Sequence, residues 1–69
     1  MSPKEQIAIT VRDRRQELGL EQVDVCEMAG IGSTTLSRLE QAKANITLDS
    51  LTRILDVLGL SLSITVKEL

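Results

Sequence analysis

This 69-residue chain offers few groups that could do covalent chemistry. It has no histidine and a single cysteine, Cys26. A histidine general base, a histidine-bound metal and a cysteine-based zinc site are therefore excluded. No nucleophile–base pair and no glycine-rich phosphate loop appears, so an enzyme is the poorest reading. What the sequence does offer is hydrogen bonding. In "IGSTTLSRLEQAK", Leu36 and Leu39 turn inward at helical spacing, which leaves Ser33, Thr34, Ser37 and Arg38 on the outward face. Hydroxyls and a guanidinium on one helix face are suited to base edges and phosphates. Read alone, the same residues are better explained as a solvated helix surface.

Other elements must hold that helix in place. "SPKEQIAITVRDRRQELG" opens with a Ser-x-x-Glu capping box at Ser2 and Glu5, with Pro3 at the first helical position. Ile7, Val11 and Leu18 share one face of this first helix with Arg15, and Gly19 ends it. "EQVDVCEMAG" makes a short second helix whose apolar residues are Val25, Cys26, Met28 and Ala29, ended by Gly30. Cys26 fits as a buried small hydrophobe, and Met28 as core or near-core. The hydroxyl-bearing helix follows after "AGIGS". A short helix, a glycine-containing turn and a second helix with small polar outward residues form a helix-turn-helix pattern. "NITLDSLTRILDVLG" holds a fourth helix, capped by Thr47, with Leu48, Leu51, Ile54, Leu55 and Leu58 as its apolar face and Gly59 as its stop.

Composition bounds the rest. One domain fits this length, and a domain so small buries only ~60% of its unfolded surface. The chain contains no Phe, Trp or Tyr, so its core is aliphatic and base stacking on aromatic side chains is excluded. No long apolar run marks a signal peptide or membrane span, so a reducing cytoplasm is the expected compartment. The net charge is −2, mild evidence against non-specific nucleic-acid binding. The acidity is concentrated in the second helix, where Glu21, Asp24 and Glu27 meet no base.

The last element differs from the others. In "LSLSITV", Leu60, Leu62, Ile64 and Val66 alternate with Ser61, Ser63 and Thr65, the pattern of a half-buried β-strand. A lone strand is not stable and its open edge invites another chain. A symmetric antiparallel pair across a two-fold axis is the economical solution. The alternatives are a frayed tail or a fifth helix, and the β-branched residues at 64–66 argue against a helix.

The run from "RRQELGLEQVDVCEMAG" through "TLSRLEQAK" to "LDSLTRILDVLGL" resembles the Cro and phage-repressor type of helix-turn-helix, the XRE family, over about residues 7–60. The continuation into "SLSITV" resembles HipB-like antitoxins. The resemblance implies an all-α, four-to-five-helix, lambda-repressor-like DNA-binding domain over residues 1–60. It also implies a dimerisation strand at 61–69 that pairs across a dimer through Leu60, Leu62, Ile64 and Val66. Double-stranded DNA with a palindromic operator and a HipA-like toxin kinase are the partners it implies, and no cofactor is expected. Matched to the family motif, Ser33, Thr34, Ser37 and Arg38 face the bases, with Arg38 the candidate for a bidentate guanine contact. Gln22, Lys43 and Asn45 match phosphate-contact positions. Arg15 and Glu40 match a partly buried salt bridge, although Arg15 could instead be a phosphate contact. Glu21 and Gly32 depart from the family's usual polar caps, and a carboxylate at Glu21 would repel a DNA backbone. Asp24 and Glu27 are expected to face away.

Two functions follow. One is a homodimeric, sequence-specific repressor, an antitoxin controlling its own operon. The other is a protein-interaction module that retains the helix-turn-helix as a scaffold and neutralises a toxin, an option favoured by the net acidity and Glu21.

Overall fold

A computed structural model describes residues 1–68. Four helices form: α1 (Pro3–Glu17), α2 (Gln22–Ala29), α3 (Ser33–Glu40) and α4 (Leu48–Leu58), with α1 and α4 starting at the expected caps. The α1 capping box is closed in both directions: Ser2 Oγ accepts the Glu5 N–H at 3.2 Å, and Glu5 Oε1 accepts the Ser2 N–H at 3.3 Å. Thr47 Oγ1 accepts the Ser50 N–H at 3.2 Å and starts α4. Gly59 ends α4 in the left-handed region at φ +69°, with the Leu60 N–H donating to the Leu55 carbonyl at 2.8 Å.

The four helices enclose one aliphatic core. Val11, Val25, Leu36, Ile54 and Leu58 are fully enclosed, and Cys26, Ala29, Leu39, Ala44, Leu51 and Leu55 complete the cluster. α1 packs on α3 and α4, and α2 packs on the same two helices. α3 is thereby gripped from behind, which leaves its hydroxyl face free.

Three residues expected inside lie outside. Leu18 is 43% exposed because α1 ends at Glu17 and Leu18 is its C-cap. Met28 is 56% exposed, since Val25 and Ala29, four residues apart, take the inner stripe of α2. Leu48 is 67% exposed at the first position of α4, ahead of the turn that meets the core. Conversely Ala8 and Ala44 are buried, small residues that the apolar periodicity did not single out.

Among the described residues beyond Gly59 there is neither a fifth helix nor a strand. A strand needs a ladder partner, and a single chain supplies none to residues 60–66. Leu60 is half-buried against the core, Leu62 is 48% exposed, and Ile64 and Val66 are 91% and 95% exposed. No helix among the described residues is long and apolar enough to cross a membrane.

α3 ends unusually. The Lys43 N–H donates to the Arg38 carbonyl at 2.9 Å and the Ala42 N–H to the Leu39 carbonyl at 3.0 Å, and Ala42 sits at φ +59°. That left-handed position usually holds glycine, because a Cβ there costs ~1–2 kcal/mol. Glycine's extra freedom when unfolded returns part of the gain. Ala42→Gly is therefore expected to stabilise the domain by about 0.5–1 kcal/mol and to raise its thermal midpoint by about 2–8 °C. A lowered midpoint in a circular-dichroism melt would show that the turn carries no such strain.

Candidate nucleic-acid interface

The turn between α2 and α3 is set by Gly30, which caps α2 at φ +69°. The Ile31 N–H donates to the Cys26 carbonyl at 3.0 Å, and Gly32 serves as the N-cap of α3. Ser33 and Thr34 are exposed in the first turn of α3, which contains no acidic residue to offset the positive helix end. Ser37 is half-buried, and its Oγ accepts from Gln41 Nε2 at 3.1 Å.

Arg38 is exposed, and its Nη2 donates to the Lys43 carbonyl at 3.2 Å. One guanidinium N–H thus ties the end of α3 to the loop before α4, leaving its other donors available. Thr34, Thr35, Arg38, Ala44, Asn45 and Ile46 line a cleft of about 130 Å³. Thr34, Arg38 and Asn45, expected to touch DNA, are thus brought to one place, and Lys43 is exposed beside them. Thr35 and Gln41 join this surface without having been singled out. Gln41 follows Ser37 at the i+4 step, a spacing that could have signalled the contact.

Gln22 belongs to a different group. Arg15 Nε donates to Glu40 Oε2 at 2.8 Å, and Arg15 Nη2 to Glu40 Oε1 at 2.9 Å, a bidentate pair. Arg15 Nη1 donates to the Leu20 carbonyl at 2.8 Å, and Gln22 Nε2 to Glu40 Oε1 at 3.2 Å. The side chains of the pair are only 11% and 5% exposed. This geometry places Arg15 in the fold. The Glu40 carboxylate holds the Arg15 pKa above its ordinary value, chiefly through the hydrogen bonds. Gln22, at the start of α2, keeps one of its two amide hydrogens for another acceptor.

Glu21 is exposed at the N-cap position of α2. Asp24 does not simply face away: it is half-buried, and its Oδ2 accepts the Glu21 N–H at 2.9 Å. Cys26 is buried with its Sγ 3.9 Å from the Ser33 carbonyl, and burial pushes its thiol pKa up. Among the described residues no cluster of potential ligands could hold a metal ion.

A helix-turn-helix family model matches residues 11–64. The chain belongs to the helix-turn-helix family. α2 and α3 are accordingly the paired helices of a DNA-binding helix-turn-helix. No curated protein matches the chain in sequence. Solved structures do. One described as "MDT Protein" is 28% identical, with a TM-score of 0.84, covering 99% of this chain and 96% of that one. A HipB variant in complex with an O2 20mer is 28% identical, with a TM-score of 0.83 and coverage of 99% and 94%. A HipA–HipB–O2–O3 complex matches at 28% identity and a TM-score of 0.83, with coverage of 99% and 96%. The helix-turn-helix is thus of the XRE type and similar to HipB along nearly its whole length.

Proposed function

We propose that this protein is a homodimeric, sequence-specific DNA-binding repressor of the HipB-like antitoxin type. It acts in the cytoplasm, controls its own toxin–antitoxin operon and binds a HipA-like kinase toxin. The observation that carries this reading is the recognition face of α3: exposed Ser33 and Thr34 at its start, and Arg38 and Asn45 around one cleft. HipB, the neighbour in fold, was solved with an O2 20mer and together with HipA.

The mechanism is bivalent. Residues 61–69 of two chains pair across a two-fold axis and set two α3 helices into successive major grooves ~34 Å apart. Support comes from the tail. Apolar grooves of about 170 and 350 Å³ run on either side of Leu60 and Leu62, one toward Ile7 and Val11, the other toward Leu48 and Leu55. A second copy's Leu62, Ile64 and Val66 have the chemistry to cover them. Within each half-site, Ser33, Thr34, Ser37 and Arg38 meet base edges or phosphates, while Gln22, Lys43 and Asn45 meet phosphates. Dimerisation matters here because the Glu21 carboxylate, exposed at the start of α2, opposes the DNA backbone.

Glu21 and the net charge of −2 favour the second reading, a toxin-neutralising scaffold with weak DNA binding. Arg38→Ala separates the two. For a repressor, it lowers discrimination between a selected palindrome and its variants by ~1–3 kcal/mol per half-site contact, and kinase pull-down survives. Wild-type affinity also falls steeply with salt as counterions are released. Affinity that barely changes between low and moderate salt rules out the repressor mechanism.

A further inference from the structure

Arg14 lies apart from the recognition face and from the buried Arg15–Glu40 pair. Its Nε donates to the Leu58 carbonyl at 2.9 Å, and its Nη1 donates to Glu17 Oε1 at 2.8 Å. The guanidinium also lies over the glycine that follows: a Cβ built on Gly59 would stand 3.6 Å from Arg14 Nη2. α4 has no basic residue of its own in its last turn, so Arg14 supplies the cation its negative end favours. This contact falls where the chain leaves the helical domain. Gly59 is the left-handed pivot, and Leu60 to Leu62 then line a groove whose other wall includes Gln6, Ile7, Thr10 and Val11 of α1. Arg14 continues that wall at the i+4 step from Thr10. Beyond the bonds that close α4 upon itself, Arg14–Leu58 is the only hydrogen bond between another helix and the exit of the tail among the described residues.

We propose that Arg14 is a positioning residue for DNA binding: by clamping the α4 end to α1 it sets the direction in which the tail leaves, and hence the separation of the two recognition helices. This inference rests on the dimeric operator-binding reading above. If the tails form the two-fold seam, the angle at Gly59 is transmitted to the half-site spacing. An α4 end no longer tied to α1 lets the two α3 helices reach several spacings, with none favoured.

The test measures affinity for a selected palindrome and for versions with its half-sites moved closer or apart by single base pairs. The proteins are the full chain, Arg14→Ala and Arg53→Ala. Arg53 sits exposed on α4, paired with Asp49, so its removal takes away the same charge elsewhere. Wild type and Arg53→Ala are expected to prefer one spacing by about tenfold or more, and Arg14→Ala by less than about threefold. Arg14→Ala stays dimeric by sedimentation and keeps its affinity for a single half-site. Arg14→Lys, which keeps one donor for the carbonyl, recovers part of the preference. An Arg14→Ala protein that keeps the wild-type spacing preference overturns this inference alone. So does one that loses affinity equally for every spacing and for the half-site. A wild-type chain that binds no palindrome overturns the repressor reading along with it.

Discussion

Glu40→Ala is expected to remove most of the stability of the domain. Glu40 receives two hydrogen bonds from Arg15 and one from Gln22, and both charged side chains are almost wholly buried. Deleting the carboxylate leaves a guanidinium away from water with only the Leu20 carbonyl to satisfy it. Stranding one partner of a buried pair costs ~3–5 kcal/mol. A chain of this length has only ~3–10 kcal/mol in total. The urea midpoint should fall sharply with little change in slope, and the thermal midpoint by at least ~12 °C. Arg15→Ala should be comparably damaging. The double variant Arg15→Met with Glu40→Leu should recover much of the loss, because the penalty lies in the unpaired charge and not in the missing attraction. A Glu40→Ala cost below ~1 kcal/mol, the value of an exposed pair, would contradict this account.

The pH dependence follows from the same pair. The Arg15 pKa is raised on folding. Its contribution is therefore complete below the unfolded-state value and lost only as pH rises through the higher folded value. The arginine's share should be flat from neutrality to about pH 10.

Ile64→Asp combined with Val66→Asp is expected to convert the proposed dimer to monomers. Both positions are almost fully exposed in the single chain, so neither substitution disturbs the core. In a two-fold seam the pair of substitutions places four carboxylates together, at the cost of burying charge and of mutual repulsion. Sedimentation should report monomers with unchanged helical content. Affinity for a palindrome should fall by about 10²–10⁴-fold, the loss of an intramolecular second contact, while affinity for one half-site stays as it was. A doubly substituted chain that still sediments as a dimer would move the seam elsewhere. Removing residues 61–69 should have the same effect and serves as an independent check.

Much of this was legible in the sequence because the governing signals are local. The Ser2–Glu5 box, the Thr47 cap and the glycines at 30 and 59 act within a turn of chain, and α1 begins, α2 ends, and α4 begins and ends where they direct. The inward positions Val11, Leu36, Ile54 and Leu58 follow from helical period alone. The outward position of Ser33, Thr34 and Arg38 is the complement of that pattern. Periodicity failed at helix ends, where Leu18 and Leu48 keep an apolar residue's identity but lose the neighbours that would cover it. The pairing of Arg15 with Glu40 was reached only through family resemblance, because no local rule links residues 25 positions apart.

The sequence by itself determined four helices, a histidine-free chain with an aliphatic core, and a polar face on the third helix. Only the tertiary structure decided which of those polar groups remain available. Packing of α1 and α2 against α3 brings Glu40 within reach of both Arg15 and Gln22. The left-handed turn at Ala42 brings the loop back so that Arg38 meets Lys43 and shares a cleft with Asn45. The meeting of Arg14 with the end of α4 at Leu58 likewise spans 44 residues. Such contacts depend on how whole helices are docked by the burial of Leu36 and Leu58, and docking is a property of the assembled core that no single stretch of chain encodes.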